Sequence, residues 1–475
     1  MKLALLLSYL ATWALIPHLL LLKKRPTATL AWLWAIVFIP FLGAAAYLLV
    51  GTDRLKRRRL RRRRKVAAGA ARERSPAVTT DPEVVALVAT LPERDRQLLQ
   101  LLSRVNELPI GAAAGLRVLR DAAAFYPALA DRIRAAQHHI HFEVYIWQDD
   151  ATGERFLALL TEAARRGVTV RLLVDELGSR GLDEERLAAF RAAGGKFSWF
   201  QSLDPRRNRF FLNLRNHRKV QIIDGAVAFV GGMNIGREYE GLDPVLGPWR
   251  DVQLEAEGPI VAELQAAFAD DWFFATGERF SARRYFEAPR TPARHAAQVV
   301  LGGPDLRYGP IGKSLVSVFN AAERRLWIAT GYFVPNEILL TALALAAGRG
   351  VDVRLLISEA TDHPWLVCVG RSFYSELFAA GVRIFEYSAG INHAKVTLVD
   401  DDWAMVGSAN LDYRSLRLNF ELNLCFHSRE CNAALACILE EDFAQSLEIN
   451  PHEFGKRPFR QKFLEAALRP TAPML

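Results

Sequence analysis

A stretch of nineteen residues that occurs twice constrains this chain more than any other feature. Asn216 to Asn234 reads NHRKVQIIDGAVAFVGGMN, and Asn392 to Asn410 reads NHAKVTLVDDDWAMVGSAN. The first copy carries His217, Lys219, Asp224 and Asn234; the second carries His393, Lys395, Asp400 and Asn410 at the same offsets. The order of elements repeats with it. His138 to Trp147 alternates as a strand, Gly153 to Arg166 has a helical pattern, and Val168 to Val174 is a buried strand. Arg324 to Phe333, Glu337 to Ala347 and Arg349 to Ile357 repeat that series. RGVTVRLLV and RGVDVRLLI lie 183 residues apart, and the two histidines 176 apart. This is a βαβ signature met twice, so a parallel or mixed sheet covered by helices is expected in each half. A period this long excludes a solenoid. Two halves, each with half a set of reactive groups, predict a pseudo-two-fold pair sharing one site.

The repeated stretch has a local geometry of its own. Lys219 to Ile223 alternates, Asp224-Gly225 signals a hairpin, and Ala226 to Val230 is the return strand. His217 and Lys219 are two residues apart and so project from one face of a strand. Gly231, Gly232 and Gly407 are expected to allow close backbone approach to a ligand.

Two histidines, two lysines and two asparagines, with no metal-ligand cluster, suit a phosphodiester. The lysines would neutralise phosphoryl oxygens, and Asn234 and Asn410, with Ser408, would donate hydrogen bonds to them. One neutral imidazole can attack phosphorus, and the other histidine can serve as acid and then base. Such a histidine needs a carboxylate on its second nitrogen, and Asp251 and Glu421 are the candidates. Asp224 and Asp400 belong to the motif but are expected to brace their turns. The remaining histidines, such as His18, His138, His141 and His452, have no such partners in register and read as ordinary surface or core residues.

Charge is local. The net charge is +9, yet Arg54 to Lys65 holds ten basic residues and no acid, which leaves about −1 elsewhere. The body is therefore not a basic nucleic-acid-binding surface. Leu3 to Leu22 and Thr27 to Val50 are apolar runs separated by Lys23, Lys24 and Arg25. Each is long enough to cross a hydrocarbon core of ~30 Å as a helix, and neither has a polar face. The larger basic cluster after the second run predicts that both ends, and all that follows, are cytoplasmic. The basic run can also hold anionic headgroups. The expected organisation is two transmembrane helices in residues 1–50, a basic segment and linker in 51–106, a first half in 107–290 and a second in 291–475. The four cysteines form no CxxC pair, so neither a disulfide framework nor a zinc site is expected.

These residues resemble the phospholipase D superfamily and, within it, the bacterial cardiolipin synthases. The likeness rests on the paired HxKxxxxD motifs, the apolar segment TLAWLWAIVFIPFLGAAAYLLVG, FVGGMNIGREYEG followed by PWRDV, then IATGYFVPNE, and GSANLDYRS followed by NFELN. It implies an α-β-α sandwich in each half and a bacterial inner-membrane enzyme using no cofactor or metal. It also implies transfer of a phosphatidyl group from one phosphatidylglycerol to another through a phosphohistidine, with glycerol released and cardiolipin formed. His217, Lys219, Asp224, His393, Lys395 and Asp400 would be the catalytic set, His217 by preference the nucleophile. The partners implied are phospholipids and the membrane, not nucleic acid; the oligomeric state is left open. A hydrolytic phospholipase D, a synthase using phosphatidylethanolamine as donor, a nuclease with the same motif and a non-catalytic scaffold are the competing readings. Two spans and a near-neutral body oppose the nuclease, and two intact motifs oppose the scaffold.

Overall fold

The computed structural model describes residues 12–21, 26–48, 81–200, 214–242, 247–280, 285–286, 291–306, 309–359 and 361–474. The chain divides into two compact units, Met1–Lys65 and Val66–Leu475.

In the first unit the second apolar run does not form one helix. It forms Pro26–Phe38 and Pro40–Ala46, interrupted at Ile39, whose φ of −131° and ψ of 63° are not helical. Proline disfavours the α region for the residue before it and lacks an N–H, so Pro40 begins a new helix. The first run is described only in part and contains the helix Leu15–Leu21. The two runs touch: Leu19, Ile36 and Tyr47 form a small buried cluster, and His18 Nδ1 lies 3.0 Å from the Tyr47 hydroxyl. No helix among the described residues is long and apolar enough to cross a membrane, so the expected pair of continuous spans is not what the described residues form. The basic run Arg54–Lys65 lies outside the described residues.

The second unit is built on two sheets with the same central order. The first runs Gly115–Arg120, Val252–Glu257, Val227–Gly231, Val220–Ile223, His139–Val144, Thr169–Val174, Lys196–Trp199. The second runs His295–Gly302, Glu421–His427, Trp403–Gly407, Val396–Val399, Arg325–Ala329, Asp352–Ser358, Arg383–Tyr387. Each has a parallel portion made by its βαβ unit and an antiparallel portion made by its hairpin. The second sheet gains Gly111–Ala113 at one edge, paired antiparallel with His295–Gly302, so this short strand from the start of the first half joins the sheet of the second. Ser446–Glu448 closes the other edge.

The strands are valine- and isoleucine-rich because both faces are covered. Val220, Ile222, Val230 and Leu254 of the first sheet share one core with Val396, Leu398, Val406 and Leu422 of the second. The helices Ile260–Thr276 and Arg429–Ala444 contribute to the same core. Each sheet has a separate outer core against its own helices.

The linker helices Pro82–Ala89 and Glu93–Asn106 pack on the second half, with Leu98, Leu99 and Leu102 in its outer core. Asp95 joins them to it: its carboxylate accepts from Trp403 Nε1 at 2.9 Å and lies 3.4 Å from His427 Nε2.

Candidate active site

Each motif histidine lies just before an inner strand, in a short segment pinned by the opposite half. His217 N donates to Phe420 O (2.8 Å), and His393 N donates to Arg250 O (2.7 Å). Ile391–Asn392 pairs in parallel with Trp249–Arg250, and Asn216 bridges Phe420. The two histidines are thus brought to the interface by reciprocal backbone bonds.

The carboxylates cross over in the same way. His217 Nδ1 lies 3.0 Å from Glu421 Oε2, and His393 Nδ1 lies 2.8 Å from Asp251 Oδ2. Each acid comes from the half that does not supply its histidine. All four residues are buried. With Nδ1 occupied, Nε2 of each ring is left for chemistry. Both lysines are buried and donate to the carbonyl of the histidine two residues earlier, Lys219 to His217 O at 2.8 Å and Lys395 to His393 O.

Burial dominates the electrostatics. It pushes His217 down to about 4, and the Lys219 and Lys395 charges act in the same direction against Glu421. His393 is held well below its ordinary value by burial, then by Lys395, Lys219 and His217. Burial lowers Lys395 to about 8 and depresses Lys219 strongly. The acids diverge. Burial alone would raise Glu421, but His217, Lys219 and the Ser408 hydroxyl hold it below the usual carboxylate range. Asp251 is raised to about 7 by burial, against the two lysines. One pair therefore has an ionised carboxylate beside a neutral imidazole, and the other retains a proton close to neutral pH.

Several residues take roles other than those expected. Ser408 Oγ donates to Glu421 Oε2 at 2.6 Å, so its hydroxyl proton fixes the acid rather than being offered to a phosphate. Asn234 is held at both ends of its amide, accepting from Ile146 N at 3.0 Å and donating to the Tyr239 hydroxyl at 2.9 Å. Asn410 is 2% exposed beside His393, and its Oδ1 has no hydrogen-bond partner. Asp224 and Asp400, by contrast, brace their turns as expected and touch neither histidine, unlike the catalytic set that the resemblance implies. Asp224 sits at φ 55° and accepts from the backbone N–H groups of Gln137, His138 and His139 at 2.7–2.9 Å. Asp400, at φ 50°, does the same for Glu323, Arg324 and Arg325, and pairs with Arg94 at 3.0 Å. They tie each hairpin turn to the start of the adjacent antiparallel strand, His139–Val144 or Arg325–Ala329, rather than reaching the histidines. The glycines admit protein rather than ligand: a side chain at 232 would overlap both carboxylate oxygens of Asp251, and one at 407 would overlap Asn423.

Four aromatic residues that the sequence did not single out wall the site. Tyr145 meets the His217 ring at 5.0 Å; Trp249, Tyr239 and Tyr332 meet the His393 ring at 5.2, 5.8 and 6.4 Å. Tyr145 directly follows the strand His139–Val144, and Tyr332 lies three residues beyond the strand Arg325–Ala329, so neither was fixed by the motif register. Arg218, between His217 and Lys219, is fully buried and donates to Glu421 O and Gly302 O, both at 3.1 Å. It staples the first motif to the second half. Ala394 holds the equivalent position in the other copy, so the halves are not interchangeable.

With this geometry in place, the relatives are informative. The family model described as cardiolipin synthase, phospholipase D-like domain, matches residues 129–272 and 315–443. A phospholipase D-nuclease N-terminal model matches residues 10–51. The chain is 37% identical over 463 residues to the cardiolipin synthase of Geobacillus thermodenitrificans, covering 95% of this chain and 90% of that protein. It is 38% identical over 442 residues to cardiolipin synthase A of Pseudomonas aeruginosa, covering 92% and 88%. Its fold is similar to that of the phosphatidylserine synthase of Haemophilus influenzae, with a TM-score of 0.62 at 16% identity over 80% of this chain and 100% of that one. The duplicated motif, the crossed histidine–carboxylate pairs and this breadth of likeness lead to one assignment: the chain belongs to the cardiolipin synthase family, phosphatidyltransferases of the phospholipase D superfamily.

Proposed function

We propose that the protein makes cardiolipin from two molecules of phosphatidylglycerol by way of a phosphatidyl-His217 intermediate. The observation that carries this reading is the pair of unequal histidine–carboxylate couples on the interface of two halves related by a pseudo-two-fold. Neutral His217, held by ionised Glu421, presents the Nε2 lone pair to phosphorus. The His393–Asp251 couple keeps a proton near neutral pH and delivers it to the leaving glycerol oxygen as the phosphorus–oxygen bond breaks. His393 then takes the proton from the terminal hydroxyl of a second phosphatidylglycerol. That oxygen attacks phosphorus, cardiolipin forms and His217 is released. Lys219 and Lys395 would supply positive charge to the phosphoryl oxygens, and the Asn410 amide nitrogen would donate a hydrogen bond to one. An anionic phosphodiester between these groups would reverse the mutual depression of their proton affinities.

Residues 1–50 serve, on this reading, as a membrane anchor that keeps the enzyme with its lipids. It exposes Trp34, Phe38, Ile39, Phe41 and Leu42, each more than half exposed, which water would disfavour and hydrocarbon would not. The basic residues after it favour a cytoplasmic catalytic unit on the bacterial inner membrane.

The test is incubation of the detergent-solubilised protein with phosphatidylglycerol alone, in EDTA, followed by mass spectrometry of the lipids. Cardiolipin with equimolar glycerol is expected. Phosphatidic acid as the main product would mean that water is the acceptor, and turnover only after phosphatidylethanolamine is added would mean a different donor. Mapping the trapped phosphoenzyme to His393 alone would overturn the assignment of the nucleophile.

A further inference from the structure

We propose that the helix Phe459–Leu468 seats the catalytic unit on the surface of an anionic phospholipid bilayer, on the side of the site walled by Tyr332. The proposal rests on the reading of the protein as a lipid phosphatidyltransferase.

At 3.6 residues per turn, Phe459, Phe463, Ala466 and Ala467 share one face of this helix, with Arg460 and Lys462 flanking it on opposite sides. The inward face carries Glu465, buried and paired with Arg457 at 2.7 Å. The outward face has no acid. Phe459 is 78% exposed, Phe463 64% and Leu464 51%, and the two phenylalanine rings stack at 6.0 Å. Adjacent large apolar side chains of this kind do not remain in water without a reason. Aromatic residues outward with lysine and arginine on the flanks is the pattern of a helix lying in a membrane interface, its cations reaching headgroup phosphates. Residues 451–475 hold five basic and two acidic residues, which favours anionic lipid over a neutral apolar partner.

Placement connects the patch to the site. The helix packs against Pro364–Arg371, which exposes Trp365 at 43%. His363 caps that helix, and the Tyr332 ring lies 6.0 Å from His363 and 6.4 Å from His393. The Tyr332 hydroxyl donates to Asp362 Oδ1 at 2.5 Å, fixing this corner. The apolar face is therefore reached from the catalytic histidine through one aromatic ring and one short helix. A bilayer seated there would present headgroups near His393 while acyl chains stay in hydrocarbon.

Two experiments on the full chain test this. First, benzoylphenylalanine is placed at position 463 or, as a control, at exposed position 162 on Ala151–Arg165, and the protein is irradiated in phosphatidylglycerol vesicles. Lipid adducts at 463 and not at 162 are expected; none at 463, or equal yields at both, overturns the proposal. Second, a Phe459→Ser/Phe463→Ser variant is assayed on bilayer phosphatidylglycerol and on a short-chain phosphatidylglycerol below its micelle concentration. A loss of about tenfold on bilayers with an unchanged rate on the monomeric substrate is expected. An unchanged bilayer rate, or an equal loss on both substrates, overturns the docking role. If the unaltered protein turns over neither lipid, the proposed reaction fails, and the cross-linking still reads the surface.

Discussion

Replacing Glu421 by glutamine isolates the charge that holds His217. The side chain is fully buried, with Oε2 3.0 Å from His217 Nδ1 and 2.6 Å from Ser408 Oγ. On the proposed mechanism the imidazole would become cationic as Nε2 bonds to phosphorus, so a hydrogen bond from a neutral ring would turn into an ion pair. Glutamine keeps the volume and an acceptor oxygen but loses the charge. Hydrogen bonds to an ionised partner are worth about 1.5–3 kcal/mol against roughly 0.5–1.5 for neutral ones. A pair at about 4 Å in an effective dielectric of about 20 gains up to ~4 kcal/mol. The attack should therefore slow by about 5- to 1,000-fold, from the hydrogen-bond difference alone to the full ion-pair energy, at roughly 1.4 kcal/mol per decade. Stability pays separately: Oε1 accepts from Asn419 Nδ2 at 3.2 Å, and an amide NH2 there would face another donor. That costs on the order of 1–3 kcal/mol. Rapid-quench measurement of phosphoenzyme formation reads the first effect, and a urea midpoint reads the second. Phosphoenzyme formation within threefold of the unaltered rate, with Asp251→Asn slowed instead, would refute the assignment of His217 as nucleophile.

Other expectations follow from the same geometry. The His393–Asp251 couple binds its proton with Asp251 raised to about 7, so the proton is present below that pH and lost above it. The rate of glycerol release should fall about tenfold per unit above pH 7, and a profile flat to pH 9 would remove the couple as acid. Gly232→Ala should push the Asp251 carboxylate off His393 and reproduce the kinetic loss of Asp251→Asn, readable as a fall in kcat with the fold retained by circular dichroism. Asp224→Ala removes the acceptor of three backbone N–H groups and leaves a non-glycine residue at φ 55°. It should cost about 2–4 kcal/mol in unfolding free energy. Its kcat per folded molecule should be unchanged; a catalytic loss without destabilisation would return Asp224 to the reactive set.

Much of the fold could be read from local pattern. Val168 to Val174 and Lys219 to Ile223 are strands because β-branched residues alternate or run together between turn signals, and both are found as strands within a residue or so. Asp224-Gly225 makes its hairpin because both residues adopt positive φ. Reading failed where a long-range partner decides. Arg324 to Phe333 was expected as one strand, but Arg325–Ala329 ends early and Phe333–Val334 pairs elsewhere, with Leu411–Asp412. Gly111–Ala113 crosses to the other half's sheet, which no pattern of three residues can announce. The apolar run from Thr27 to Val50 has the composition of a single span, and Pro40 breaks it.

The sequence by itself determined that two histidines, two lysines and two asparagines recur in register, because covalent spacing along a strand fixes which side chains share a face. It also singled out Asp251 and Glu421, since a buried imidazole in this role requires an anionic partner. Only the tertiary structure decided which acid serves which histidine. The pairing crosses between halves because each acid's strand meets the opposite half through the shared inner core. The structure alone also made the two couples unequal. Burial acts on both, but Glu421 has a serine hydroxyl, a histidine and a lysine to stabilise its charge, whereas burial wins at Asp251. That difference depends on what surrounds each carboxylate in three dimensions, and near-identical motifs cannot encode it locally.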